Sequence, residues 1–330
     1  MPRERCTSCT DERAPVSVIE SSKLAVIGAG SVGASLAYAA LIRGSARRVA
    51  LYDINEAKVD AEVLDLAHGT QFTGSSEVEG GADLAVVEGA HVVVITAGAN
   101  QRPGQTRMDL AGTNARILED LMPKLLERAP DAVYMLVTNP CDVLTVVARR
   151  VSGLPAERVF ASGTVLDTSR LRTLLARRAG VATSSVHAHI VGEHGDTEFP
   201  LWSSARIGSV PILDWVRGEP VRRDELDRIA AEVRNAAYAV IKGKGVTNYA
   251  IGLSGARIVE AVLGDEQAIL PVSTVLGDYR GMGDVALSVP SLVGATGASP
   301  ITETPFSEAE GARLRESADA IRSTLAQIGY

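Results

Sequence analysis

One short segment constrains the fold of this chain more than any other. An apolar run, Lys23–Ile27, ends in Gly28-Ala-Gly30-Ser-Val-Gly33, and residues 31–43, rich in Ala, Leu and Ile, read as a helix. Arg48–Asp53 reads as the next strand and closes on an acid 20 residues after Gly33. Strand, glycine turn, helix and a second strand ending in a carboxylate form the context that a dinucleotide fingerprint demands. Gly28 allows the tight turn, Gly30 lets the backbone approach a pyrophosphate, and Gly33 permits close helix–strand packing. The helix N-terminus attracts the phosphates. The Asp53 carboxylate is expected to bind ribose hydroxyls and to repel a 2′-phosphate, so NAD is favoured over NADP.

The same rhythm continues beyond the turn. Asn55–Ala67 reads as a helix stopped by Gly69, His91–Thr96 and Val133–Thr138 as continuous apolar strands, and Asn114–Arg128 as a helix between them. Continuous apolar strands alternating with helices imply a parallel sheet covered on both faces. From about residue 165 the pattern loosens. Asp167–Ala179 is a helix ended by Gly180, Val186–Val191 a strand and Asp224–Lys242 a long helix. Ala268–Val275 and Val285–Pro290 read as strands of a separate antiparallel sheet. Ser307-Glu-Ala-Glu310 is a capping box opening a last helix with the stripe Leu314, Ile321, Leu325 and Ile328. The expected organisation is a tail over 1–20, a doubly wound α/β dinucleotide-binding domain over 21–163, and an α+β substrate domain over 164–330.

Composition narrows the function classes. A 330-residue chain that is 46% hydrophobic and 22% charged is ordinary for a globular protein. A net charge of -7 argues against a nucleic-acid footprint. No apolar stretch approaches the ~20 residues of a membrane span, and the first 20 residues carry mixed charge without an apolar run, unlike a signal peptide. A cytoplasmic protein is expected. Three cysteines, Cys6, Cys9 and Cys141, make no disulfide framework. Cys6-Thr-Ser-Cys9 has redox or half-zinc spacing but no second pair.

Four further segments carry chemistry: Thr96-Ala-Gly-Ala-Asn-Gln-Arg-Pro-Gly-Gln-Thr-Arg107, Val137-Thr-Asn-Pro-Cys-Asp142, Ser162-Gly-Thr-Val-Leu-Asp-Thr-Ser-Arg170 and Gly192-Glu-His-Gly-Asp196. With the glycine fingerprint, and over roughly residues 22–328, they resemble the lactate/malate dehydrogenase family. The resemblance implies a Rossmann domain, hydride transfer between NAD and a small 2-hydroxy acid, and no metal. It makes His194 the proton donor and acceptor, because an imidazole supplies a proton to a carbonyl oxygen near neutral pH. Asp167 would hold the other ring nitrogen and raise the pKa of His194. Arg170, three residues on, would anchor the substrate carboxylate bidentately, as Lys cannot. Arg107, in the Gly- and Pro-containing loop 98–110, would polarise the ketone beneath a closing lid. Asn139 and Thr247 are implied as further substrate contacts. Val32, Lys58, Gly98, Ala99, Val137, Asn139 and Ser162 join Gly28, Gly30, Gly33 and Asp53 as implied cofactor contacts.

Gln101 bears on the choice of substrate. It stands six residues before Arg107, where the family's malate enzymes carry Arg. A neutral Gln offers no partner to a second carboxylate, whose unpaired burial is costly, whereas a methyl group needs none. This points to pyruvate and L-lactate, with Arg102 as the residue that a register shift would bring in instead. A malate or branched 2-hydroxy-acid dehydrogenase and a catalytically silent NAD-binding sensor are the competing readings. His187 and His189 would share one strand face and raise a zinc reading, which the family's metal-free chemistry disfavours. Cys141 departs from the aliphatic residue expected there and reads as small core packing. Arg172 and His187 match the positions at which the family's bacterial allosteric members carry their fructose 1,6-bisphosphate ligands, and a homotetramer is the family expectation.

Overall fold

The structure, a computed structural model, describes residues 21–74, 77–99, 107–217 and 220–330, without the side chains of Arg107 and Met108. Cys6, Cys9, Gln101, Arg102 and the Arg107 side chain therefore lie outside the described residues, as do residues 100–106 of the expected lid.

Strands and helices alternate through β1 (Lys23–Ile27), α1 (Ser31–Arg43), β2 (Arg48–Tyr52), α2 (Glu56–Gly69), β3 (Glu77–Gly81), β4 (Val92–Ile95), α3 (Arg107–Arg128), β5 (Val133–Leu136), α4 (Cys141–Ser152) and β6 (Val159–Ala161). The six strands are parallel, in the order β3-β2-β1-β4-β5-β6. Such a doubly wound sheet opens a ligand crevice beyond the strands' C-terminal ends, where the order reverses between β1 and β4. Side chains of one strand point alternately to opposite faces. Ala25, Ile27, Val93 and Ile95 thus enter one core with α3 and α4, while Leu24, Val26, Val92 and Val94 enter another with α1. Each of these fully buried Val, Leu and Ile side chains contributes ~1.5–3 kcal/mol.

The second half comprises α5 (Val165–Ala179), β7 (Val186–His187), β8 (Ile190–Val191), β9 (Phe199–Pro200), β10 (Arg206–Ile207), β11 (Val210–Pro211), α6 (Arg223–Lys244), α7 (Tyr249–Leu263), β12 (Ala268–Leu270), β13 (Ser273–Val275), β14 (Ala286–Ser288), β15 (Ser291–Gly294), β16 (Gly297–Pro300) and α8 (Glu308–Gln327). The capping box at Ser307 and Glu310 forms as expected, and Leu314, Ile321 and Leu325 are buried.

Several expectations are corrected. Gly69 does not stop α2. It lies in the last turn with right-handed dihedrals, and the chain runs on into a short 3-10 turn at Thr70–Phe72. Helix α3 starts seven residues before Asn114. The expected strand Val186–Val191 is two strands in different sheets, β7 beside β10 and β8 beside β9. Side chains of α5 capture the backbone at the break: Arg172 Nε donates to the Ala188 carbonyl at 2.9 Å, and Thr168 Oγ1 accepts from Ile190 N–H at 2.8 Å. His187 and His189 consequently do not share a strand face. Pro271, which has no N–H to give a ladder, likewise divides Ala268–Val275 into β12 and β13. Nor do β13 and β14 form a separate sheet. They extend the main one antiparallel, β13 lying against β6, so strands from both halves of the chain share one eight-stranded sheet. β12, β15 and β16 make the separate antiparallel sheet.

Candidate active site

The glycine turn is shaped for close approach. Gly28 has φ +105°, and a Cβ there would stand 2.8 Å from Ala97 N and 2.9 Å from Thr96 Oγ1. Thr96 Oγ1, at the end of β4, donates to the Gly28 carbonyl at 2.9 Å and stitches the two sides of the switch point together. Gly30 caps α1 without a side-chain hydrogen bond, so the first-turn N–H groups are left to a ligand. A Cβ at Gly30 would meet open space, with Lys58 Nζ nearest at 4.0 Å. Asp53, just past β2, accepts from Ala29 N–H at 2.8 Å and Asn55 N–H at 3.0 Å, which fixes its carboxylate at the turn. Anion-seeking N–H groups, a bare glycine, an exposed Lys58 and a fixed carboxylate suit a pyrophosphate followed by a ribose diol. Val32 lies in the first turn of α1. Gly98 and Ala99 follow β4, and Ala99 N–H donates to Asn114 Oδ1 at 2.8 Å. Val137 and Asn139 follow β5, and Ser162 follows β6. The implied cofactor residues thus gather along the C-terminal edge of the sheet and at the head of α2, where Lys58 sits.

The second group is held against the same edge. Helix α5 presents Asp167 and Arg170 on one face. Asp167 is 2% exposed and divides its carboxylate: Arg170 Nη1 donates to Oδ1 at 2.7 Å, and His194 Nδ1 lies 2.7 Å from Oδ2. His194 follows β8, and its backbone N–H donates to Asp142 Oδ2 at 2.7 Å, at the head of α4 just beyond β5. The His194 imidazole is therefore braced from both halves of the chain, and Nδ1 rather than Nε2 is engaged by Asp167.

Burial pushes the pKa of His194 down, but the charge and hydrogen bond of Asp167, helped by Asp142 and Glu198, overcome it and hold the imidazole at about 9. Burial opposes ionisation of Asp167, yet His194 and Arg170 keep it below the ordinary carboxylate range. Asp142, buried, is pushed up to about 6 by that burial. At neutral pH the arrangement is an imidazolium paired with a carboxylate beside a guanidinium, 19% exposed, that has donors left for a substrate anion.

Thr247 is half-buried between α6 and α7. Its neighbour Asn248 donates through Nδ2 to Ser35 Oγ of α1 at 2.8 Å, which ties that turn to the cofactor helix. Cys141 is buried and free. Arg172 and His187 are not brought together by any described contact: Arg172 turns to the Ala188 carbonyl and to His189 Nε2 at 3.0 Å, while His187 is exposed on β7. Burial first, then Arg172 and His187, lower the pKa of His189 to about 4, so a neutral ring accepts from the guanidinium.

Two residues escaped the sequence reading. Asp142 was visible as the end of Val137–Asp142, but its role depends on a contact 52 positions away. Glu198 lies just past Gly192–Asp196. Its carboxylate, Asp167 and His194 have one ligand atom each within 4.8 Å of one another.

A dinucleotide cradle at the strand switch, faced by a carboxylate-braced histidine and an arginine, defines a nicotinamide-dependent dehydrogenase of small carboxylates. The comparisons are specific. Residues 22–161 match the lactate/malate dehydrogenase NAD-binding domain, and residues 164–329 match the alpha/beta C-terminal domain of the same family. An L-lactate dehydrogenase of Bifidobacterium animalis subsp. lactis is 51% identical over 317 residues, 95% of this chain and 99% of that one. One from Thermus aquaticus is 43% identical over 93% of this chain and all of its own. Among solved structures, a lactate dehydrogenase from a Medee basin deep-sea metagenome library superposes with a TM-score of 0.90 at 36% identity, covering 94% of this chain and 99% of that one. A minor L-lactate dehydrogenase from Enterococcus mundtii gives 0.89 at 38% identity, covering 93% and 98%. The chain belongs to the lactate/malate dehydrogenase family, and its cofactor is NAD. No helix among the described residues is long and apolar enough to cross a membrane.

Proposed function

We propose that this protein is an L-lactate dehydrogenase that interconverts pyruvate and L-lactate and thereby regenerates NAD. The observation that carries the reading is the divided Asp167 carboxylate, which aligns a proton donor and a carboxylate anchor beside a cradle suited to NAD. The names of the relatives support it. When bound, the reduced nicotinamide supplies the hydride. Arg170 holds the substrate carboxylate in its planar fork. His194 gives its Nε2 proton to the carbonyl oxygen, while Asp167 keeps the ring oriented and stabilises its charge. Arg107 polarises the carbonyl, and Asn139 and Thr247 complete the pocket. The raised pKa of His194 keeps the proton available for pyruvate reduction at neutral pH; lactate oxidation needs the neutral ring and gains as pH rises toward about 9. On this reading the chain divides near residue 163 into a cofactor half and a substrate half. Initial rates with pyruvate, oxaloacetate and a branched 2-keto acid test it: pyruvate should be preferred, and preference for either other acid would overturn the assignment.

Substrate choice rests on Gln101. Gln101→Arg is expected to shift the kcat/KM ratio toward oxaloacetate by at least ~100-fold, because the new guanidinium pairs a second carboxylate and stands uncompensated against a methyl group. An unmoved ratio would remove Gln101 from the pocket and bring Arg102 under suspicion.

Arg172 and His187 are proposed to bind fructose 1,6-bisphosphate across a two-fold axis of a cytoplasmic homotetramer. Exposed Tyr38, Ile42, Leu64, Tyr238 and Leu253 offer apolar surface for such assembly. The sugar should lower the apparent KM for pyruvate several-fold, and the effect should fade as pH rises through the His range, since protonated His187 binds phosphate best. Arg172→Gln with His187→Ala should remove the response. Superimposable pyruvate saturation curves with and without the sugar, in the parent enzyme at two pH values, would refute it.

A further inference from the structure

The buried carboxyl of Glu198 has so far entered only as a neighbour of the His194 imidazole. It lies just before β9 in the turn that follows the catalytic loop, and the residue is 4% exposed. Its backbone is held at both ends: its N–H donates to the Gly195 carbonyl at 3.4 Å, and its own carbonyl accepts from Arg234 Nη2 of α6 at 3.1 Å. The side chain is placed within 4.8 Å of both the Asp167 carboxylate and a His194 ring nitrogen. Oε1 is fully buried and has no hydrogen-bond partner.

The surroundings bear on its charge. Asp167 and Arg170 face it from α5, His194 from its own loop and Arg234 from α6. Arg313 of α8 stands one layer out over the Phe199 ring, at 4.8 Å. Glu193 of the catalytic loop is turned to Thr197, whose hydroxyl donates to it at 2.6 Å, and Asp142 approaches from α4 through the backbone of His194. Arg170 and His194 spend their short contacts on Asp167, and Nη2 of Arg234 is turned to a backbone carbonyl. A second ionised carboxylate beside Asp167, out of water and without an ion pair of its own, is disfavoured; two carboxylates sharing such a site hold a proton between them.

We propose that Glu198 is a positioning residue of the proton-transfer centre, a carboxylic acid that keeps its proton at neutral pH, donates it in a hydrogen bond to Asp167 and so sets the proton affinity of His194. The proposal rests on the reading of His194 as the proton donor to a keto acid. Once His194 has given up its proton, Asp167 has lost one of its two positive partners, and the Glu198 hydroxyl, with Arg170, steadies the charge that remains. The electrostatic balance agrees: burial and Asp167 push Glu198 up against the opposing pull of His194, Arg234 and Arg170, while the hydrogen bond from Glu198 helps hold Asp167 down. The centre then titrates as a unit. When Glu198 ionises at alkaline pH, its new negative charge raises the affinity of His194 for its proton and prolongs pyruvate reduction to higher pH.

Glu198→Gln keeps a hydrogen-bond donor of the same shape but cannot ionise. The alkaline limb of kcat/KM for pyruvate, normalised to each enzyme's own plateau, is expected to move down by about one pH unit in this variant, the size of shift a nearby charge produces. Coincident limbs would overturn the proposal. A second arm needs no variant: in the parent holoenzyme labelled with carboxyl-13C glutamate, NMR should show one glutamate titrating above pH 7, and a set that all titrates in the ordinary acidic range would refute the protonated carboxyl. An enzyme that fails to reduce pyruvate yet shows the displaced titration overturns the proposed function and supports the buried proton, so the two failures are distinguishable.

Discussion

His194→Asn is expected to lower pyruvate turnover by ~10²–10⁴-fold, the span a positioned acid or base contributes, while leaving NADH affinity within about twofold of the parent, a change small on the scale of ~1.4 kcal/mol per decade. The residues proposed to hold the cofactor belong to the glycine turn, Asp53, Lys58 and the ends of β4, β5 and β6, and their positions are set by the sheet. The histidine comes from a different segment and reaches the cradle through its backbone bond to Asp142, which an Asn at 194 retains. Its amide can still face Asp167, so the arrangement survives and only the transferable proton is lost. Steady-state rates beside a fluorescence titration of NADH separate the two quantities. Retained turnover would remove His194 from the mechanism, and a parallel collapse of NADH binding would mean that the loop, not the proton, had been disturbed.

How much of this was legible in the sequence depends on whether a residue's role is local. Strands β1, β2, β4 and β5 are continuous apolar runs closed by turn residues, and their positions follow from composition alone. Helix α4 went unread for a different reason. Asp142, Thr145, Arg149 and Ser152 recur at helical spacing, but the β-branched Val143, Val146 and Val147 between them suit a buried strand as well, and α7 is buried at most of its positions. The break between His187 and Ile190 is made by Arg172 and Thr168 reaching across from α5, and the attachment of β13 to β6 depends on a strand more than a hundred positions earlier. Neither leaves a mark in the local pattern. The same division runs through the site. Asp167, Arg170 and His194 stand out by motif spacing, and the fold brings their side chains together. Asp142 and Glu198 derive their character from burial beside those residues, and a carboxylate in a sequence does not announce that it will be buried.

The three glycines of the turn offer a sharper test, because one shared motif contains two different physical requirements. Gly33 faces protein. A Cβ there would run into the Gly28 carbonyl oxygen and lie 2.8 Å from Thr96 Oγ1, which already donates to Gly28. Neither obstacle is the far end of a flexible side chain. To admit a methyl group α1 must lift from β1 and β4, where Leu36, Ala37 and Ala40 are packed. Gly33→Ala is therefore expected to cost about 3 kcal/mol, at the upper end of ordinary overpacking, to lower Tm by roughly 4 °C, and to weaken NADH binding because the helix N-terminus has moved. Gly30 faces open space at the head of α1. Its φ of −74° and ψ of 177° are open to any residue, and a Cβ there touches nothing nearer than Lys58 Nζ at 4.0 Å. Gly30→Ala should hold Tm within about 2 °C of the parent yet weaken NADH by about tenfold or more, because its methyl group stands where the pyrophosphate must approach the backbone. Thermal melts and NADH titrations on both variants decide the matter. Loss of stability in Gly30→Ala, or a Gly33→Ala that melts like the parent, would show that the packing and ligand-facing roles have been assigned to the wrong glycines.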